Sequence, residues 1–147
     1  MKYLPLNELN SLDIEKYLEL SRDLSVINKD NIQGELSNST VVFSYYHGLL
    51  VHQKRRLDGL VNNAQAFYSL TKNSELLNNK SKGAKATATY LEDFVQSNEE
   101  YISFKKQVIE QEEIYGYLKA LCGALEHKKD MLVQLSANLR SETKLYN

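Results

Sequence analysis

The sequence predicts an all-α chain: a long antiparallel helical hairpin with a short N-terminal helix and a short connecting helix. Three observations carry this. Pro5 is the single proline, so the stretch from Leu6 to Asn147 lacks the residue that breaks helices most strongly. Apolar residues recur at steps of three and four over two long stretches. A polar segment rich in Asn, Ser, Lys and Gly lies between them, as in two helices that run back along each other.

The first helix is expected from about Leu12 to Leu24, with Ser11 as N-cap and Leu12, Ile14, Tyr17 and Leu18 as its apolar stripe. Asp13 and Glu15 suit the positive end of its dipole. Asn28 to Thr40 (NKDNIQGELSNST) reads as a loop. Residues 1–36 thus form an N-terminal helix and loop, and residues 37–147 the hairpin domain. The first long helix is predicted from about Ser39 to Thr71 on Val42, Tyr46, Leu49, Leu57, Leu60, Ala64 and Phe67, with Gln53 in the seam. Gly48 and Gly59 weaken it by about 1 kcal/mol each, although small residues also permit close helix approach.

Lys72 to Lys85 (KNSELLNNKSKGAK) reads as a flexible connector. A short helix follows over Ala86 to Gln96, with Leu91 and either Phe94 or Val95 inward. Ser97 or Asn98 then caps a final helix from about Glu99 to Glu142. Its apolar repeat of Ile114, Leu118, Leu121, Leu125, Leu132, Leu135 and Leu139 is the clearest in the chain, with Lys128 interrupting it. Gly116 and Gly123 lie one heptad apart and mark an expected close crossing. At 147 residues a compact domain buries roughly 70% of its unfolded surface. An elongated hairpin of that length buries less and needs partner subunits, so an oligomer is expected.

Catalytic and metal-binding patterns are missing. There is no GxxxxGK[ST], GxGxxG or GxSxG. His47 and His52 are five apart, off the i, i+4 spacing of a helical metal pair, and Cys122 with His127 is too little for zinc. Glu110, Glu112 and Glu113, joined by Glu99 and Glu100, are read as an exposed face paired with Lys105 and Lys106 rather than as acid–base catalysts. The expectation is a binding and assembly protein, not an enzyme, with no cofactor and no metal. Cys122 lies in an apolar run and reads as a core thiol. No apolar run approaches the roughly 20 residues that span a bilayer, and MKYLPLNELN lacks a signal-peptide h-region. A cytoplasmic location is expected.

The formal net charge of −1 is unevenly distributed. Met1–Thr40 carries 4 basic and 7 acidic residues, Val41–Tyr90 carries 7 and 2, and Leu91–Asn147 carries 7 and 10. Within the basic middle third are Lys54-Arg55-Arg56 on the first long helix and Lys80, Lys82 and Lys85 in the connector. Tyr45, Tyr46, Phe67, Tyr68 and Tyr90 interleave with them. Positive grooves with aromatic platforms hold single-stranded nucleic acid without reading its sequence. The competing reading places Tyr46 and Phe67 in the core and treats the cations as solubilising.

The stretch from about Ser37 to Arg140 resembles the recombination mediator proteins of tailed phages, the UvsY family. An aromatic pair, Tyr45-Tyr46, opens a long helix, and the basic run HQKRRL (His52 to Leu57) lies inside it. Tyr68-Ser69 precedes the polar connector. A short YLEDF helix (Tyr90 to Phe94) comes next, then a long helix carrying YGYLKALCGALEHKKDML (Tyr115 to Leu132). The resemblance implies a ring-like homo-oligomer that binds single-stranded DNA, helps remove the single-strand-binding protein and loads a RecA-like recombinase, in the host cytoplasm if the chain is phage-encoded. It further implies that Leu118, Leu121, Leu125, Leu132, Leu135 and Leu139 hold subunits together while Lys54, Arg55, Arg56 and the connector lysines engage phosphates. In that family, basic residues towards the end of the first long helix are implicated in DNA binding. Here Asn62 to Gln65 is uncharged and the cations sit earlier. Two rivals remain: a helical scaffold or adaptor, and a small inhibitor of a nucleic-acid enzyme that uses the Glu99–Glu113 acidic patch to mimic phosphates.

Overall fold

The computed structural model describes residues 3–147; Met1 and Lys2, the start of the expected N-terminal region, lie outside them. The chain is all-α, with no strand among the described residues. Four α-helices follow in order: α1 (Ile14–Ser25), α2 (Ile32–Ser81), α3 (Ala88–Gln96) and α4 (Glu99–Tyr146), with 3-10 turns at Leu6–Ser11 and Lys29–Asn31. α2 and α4 are the arms of the helical hairpin. No helix among the described residues is long and apolar enough to cross a membrane. The chain divides into two compact units: one comprises the chain up to Gln53 with Ile114–Asn147, the other Lys54–Glu113.

In the first unit, α2 presents Val42, Tyr46 and Leu49 to Ile114, Leu118, Leu121, Cys122 and Leu125 of α4. Leu4, Leu9, Leu12, Leu20 and Leu24 complete the same cluster. The boundary expected after residue 36 therefore does not divide the structure, because the N-terminal leucines have no other core to join. Two neighbouring tyrosines of α2 hold that segment in place. The Leu4 N–H donates to Tyr46 Oη at 3.0 Å, and Tyr45 Oη donates to the Leu4 carbonyl at 2.5 Å. Tyr46 and Leu4 are both fully buried, so these bonds satisfy groups that water does not reach. Tyr17 of α1 stacks on Tyr117 of α4 with ring centres 5.1 Å apart.

Lys128, which interrupts the leucine repeat, has a specific place in this unit. Its ammonium donates to the carbonyls of Leu24 (2.9 Å) and Val26 (2.8 Å), closing the C-terminal end of α1. It also pairs with Glu35 of α2 at 3.3 Å, both side chains being mostly buried. One cation thus joins α1, α2 and α4 and neutralises the negative end of the α1 dipole.

The second unit packs Ala64 of α2, Leu91 and Val95 of α3 and Tyr101 of α4 as its buried residues. Phe67 meets Phe104 with centroids 5.3 Å apart, and Tyr68 meets Tyr101 at 5.7 Å, in the antiparallel sense of a hairpin. Thr87 Oγ1 accepts from the Tyr90 amide and starts α3; Asn98 Oδ1 accepts from the Glu100 and Tyr101 amides and starts α4.

Several element boundaries differ from the sequence reading. α1 is capped by Asp13, whose carboxylate accepts from the Lys16 amide at 2.9 Å, whereas the Ser11 hydroxyl donates to the Glu8 carbonyl. Ile14 and Leu18 are about half exposed, and Leu20 and Leu24 are buried in their stead, forming with Tyr17 the i, i+3, i+7 stripe that meets the core. The expected loop from Asn28 to Thr40 is largely helix from Ile32 onward. Buried Ile32 anchors it, and Asn31 Oδ1 caps it by accepting from the Gly34 amide. A Cβ on Gly34 would lie 2.3 Å from the Asn31 amide nitrogen, so this cap needs glycine. At Gly48, Gly59, Gly116 and Gly123 nothing lies within 4 Å of an added Cβ, so none of them marks a close crossing.

Two predictions follow from the first unit. Lys128→Met keeps the stem but leaves Glu35 and two carbonyls without their partner, and is expected to cost about 3 kcal/mol. A lower urea midpoint at unchanged slope would report it; an unmoved midpoint would refute the role given to the ammonium. Burial pushes the Tyr46 phenol from the ordinary 10.0 up to about 12. A group raised in the folded state contributes stability that is full below pH 10.0 and lost as pH rises through about 12. Tyr46→Phe should cost about 1–2 kcal/mol at neutral pH, through the orphaned Leu4 amide. In alkaline denaturation it should then lose stability less steeply than the wild type.

Candidate nucleic-acid interface

The expected flexible connector from Lys72 to Lys85 is helical as far as Ser81. Half-buried Leu76 keeps that segment on the unit's surface, and Asn79 Nδ2 donates to both the carbonyl and the carboxylate of Glu75, one turn back. The helix then stops at Gly83, which has φ +73°. The Gly83 amide bonds the Lys80 carbonyl at 3.1 Å and the Ala84 amide bonds the Asn79 carbonyl at 2.9 Å, the paired closure of a glycine C-cap. Lys80 therefore rides on the last turn of α2, while Lys82 and Lys85 flank the left-handed glycine.

Lys80, Lys82 and Lys85 are exposed, and none of them makes an ion pair among the described residues. Lys54, Arg55 and Arg56 are also exposed, on consecutive positions of α2. At 100° per residue they spread around the helix, and Lys54 lies about 39 Å along the axis from Lys80 at ~1.5 Å per residue. The structure thus separates the two predicted cationic clusters within one unit. Lys54–Glu113 carries nine basic and nine acidic residues, so α3 and the start of α4 offset the positive charge of this part of α2.

The aromatic residues sort differently from their sequence pattern. Tyr46 is core, Tyr45 holds Leu4, and Phe67 and Tyr68 pack against Phe104 and Tyr101. Of the predicted set, Tyr90 alone is an exposed large aromatic. Its companion is Phe94, 36% exposed, with ring centroids 6.3 Å apart and planes inclined by 31°. The sequence left Phe94 and Val95 as alternatives for the inward position, and Val95 is the buried one. The signal was available: α3 is short and carries Tyr90, Leu91, Phe94 and Val95, two i, i+4 pairs on adjacent faces, and it can bury only one.

Glu75 ties this aromatic edge to the turn. Its carboxylate accepts from Tyr90 Oη at 2.8 Å and from Asn79. The Tyr90 hydroxyl is the chief reason its carboxyl lies below the ordinary carboxylate range, with Lys82 adding a smaller push the same way. The same bond raises the Tyr90 phenol. Glu92 is held low by the Tyr68 hydroxyl and by Gln96, and Lys72 lies over the Tyr68 ring at 5.4 Å. Next to Phe94 a shallow groove of about 470 Å³ runs past Phe67, Leu70, Thr71, Asn78 and Asn98, with the Glu75 carboxylate also in its lining. No group of three or more His, Cys, Asp or Glu among the described residues is placed to hold a metal ion.

The leucines expected to join subunits are mostly used within the chain. Leu118, Leu121, Leu125 and Leu132 are at most 2% exposed, the first three in the cluster shared with α2 and the N-terminal segment. Leu135 is half-buried and Leu139 is 48% exposed. Comparison with protein families, curated proteins and solved structures finds no match to this chain.

The Glu75–Tyr90 bond makes a direct prediction. In an NMR pH titration the Glu75 carboxyl should titrate below the usual glutamate range, and Tyr90→Phe should return it towards that range. A wild-type Glu75 that titrates normally would show that the two groups do not meet in solution.

Proposed function

We propose that this chain is a non-catalytic accessory protein that binds single-stranded DNA and acts as a homo-oligomer. Its particular role is then that of a recombination mediator, helping to displace a single-strand-binding protein and to load a RecA-like recombinase. The observation that carries the binding reading is the turn itself. Lys80 and Lys82 lie at the glycine-closed end of α2 and Lys85 just beyond it, all three exposed and without ion pairs among the described residues. Three ammonium groups clustered around one turn suit a phosphate chain, whose contacts dominate affinity for nucleic acids. The mediator role rests on the resemblance to the UvsY family and on the order of elements: long helix, short helix, long helix.

Association of copies is assigned to a different surface from the leucine repeat. Ile102 and Ile109 on α4 are each more than half exposed and spaced seven apart. That is the spacing of a helix face that packs along another, and a second copy would repeat the lysine turn and raise avidity. A scaffold or adaptor without DNA binding is the second reading, favoured by the equal numbers of acidic and basic residues in the Lys54–Glu113 unit and by the distance between its cationic clusters.

Fluorescence anisotropy of labelled poly-dT, titrated at about 50 and about 200 mM salt, separates the two. Binding should weaken steeply with salt. The K80A/K82A/K85A triple variant should lower affinity and flatten the log–log salt slope by about 2, at roughly 0.7 per single-strand phosphate contact. Folded protein that shows no binding at low salt would leave the scaffold as the better account.

A further inference from the structure

We propose that the shallow groove beside the turn receives an unstacked base of the strand, with Tyr90 and Phe94 as its stacking platform. This rests on the single-strand reading above and names what that strand presents to the protein. Three observations on one end of the Lys54–Glu113 unit support it. First, Tyr90 and Phe94 are 46% and 36% exposed, so aromatic faces that a core would consume remain available. Second, the groove that Phe94 walls, at about 470 Å³, falls within the roughly 300–1,000 Å³ of small-molecule sites. Its apolar walls, Phe67 and Leu70, suit the flat faces of a base. The Thr71 hydroxyl and the Asn98 Nδ2 can meet its edges, Asn98 Oδ1 being taken by the start of α4, and the Glu75 carboxylate in the same lining can accept from a base N–H.

Third, the cations are close by. Asn78 lines the groove, and its carbonyl accepts from the Lys82 amide at 3.3 Å. Tyr90 reaches Glu75, on which Lys82 acts electrostatically. Phosphates on the lysine turn would therefore bring the attached bases to the aromatic edge. A duplex keeps its bases stacked and their edges paired, whereas a single strand can turn one out. Amides and hydroxyls beside aromatic carbon, next to a positive turn, match that ligand better than the aliphatic side chain of a protein partner.

The chain contains no tryptophan, which makes the test clean. Phe94→Trp places one reporter on the platform, and circular dichroism checks that the helices persist. Oligo-dT should quench the introduced tryptophan, while an abasic oligonucleotide with the same number of phosphates should bind without quenching it. In the otherwise wild-type chain, Y90A/F94A should weaken oligo-dT binding by about tenfold, the scale of one base–aromatic stack, and leave abasic binding unchanged. Salt-sensitive oligo-dT binding with no quenching, and with an unaffected double variant, would overturn the base site and leave the phosphate contacts standing. If neither oligonucleotide binds, the strand-binding reading falls and takes the base site with it.

Discussion

Leu118, Leu121 and Leu125 of α4 lie against Val42, Tyr46 and Leu49 of α2, and the architecture of the first unit depends on that contact. Two amphipathic helices cannot leave such stripes in water, since each fully buried leucine is worth about 1.5–3 kcal/mol of apolar transfer. A two-helix seam still leaves flanks open. The chain up to Leu24 covers one of them, bringing five more leucines to the same cluster. The polar contacts are subordinate to this packing and make it specific. Tyr45 and Tyr46 satisfy both backbone groups of Leu4, and Lys128 satisfies the end of α1 while neutralising Glu35.

The long helices were legible because their apolar steps of three and four persist over many turns. What the sequence hid was mostly a matter of context. Asn28 to Thr40 has the composition of a loop, and its helix from Ile32 is set by burial of Ile32 and by the Asn31 cap, which no local propensity reveals. Lys72 to Ser81 looks like a linker for the same reason, yet Glu75 and Asn79 bond along the helix and Gly83 supplies a stop two residues after its end. Lys128 read as a flaw in a repeat and proved to be a joint, because its partners are carbonyls that no side-chain pattern encodes. The cationic residues were legible as residues. Their separation along α2, and the carboxylates brought near them by folding, were not.

That separation shapes the functional picture. A run of positive charge in sequence suggests one surface, but Lys54 and Lys80 are about 39 Å apart along α2 at ~1.5 Å of rise per residue. Binding by this chain would thus be local at the turn, with any longer path along a strand assembled from several copies. The core leucines of α4 are already buried within the chain, so a second copy would have to cover other side chains, such as exposed Ile102 and Ile109. Cys122 takes no part: it is buried, and desolvation raises its thiol above the ordinary range, so it stays an unreactive core group.

The glycine closure after α2 has a consequence for how tightly any ligand can be held. Lysines on a slack linker must surrender their backbone freedom when they engage, at roughly 1–2 kcal/mol for each residue fixed. At Gly83 that ordering is already complete, through two backbone bonds made during folding. The backbone at Lys82 is thus set before any encounter, and a ligand engaging this lysine would not bear that part of the ordering cost.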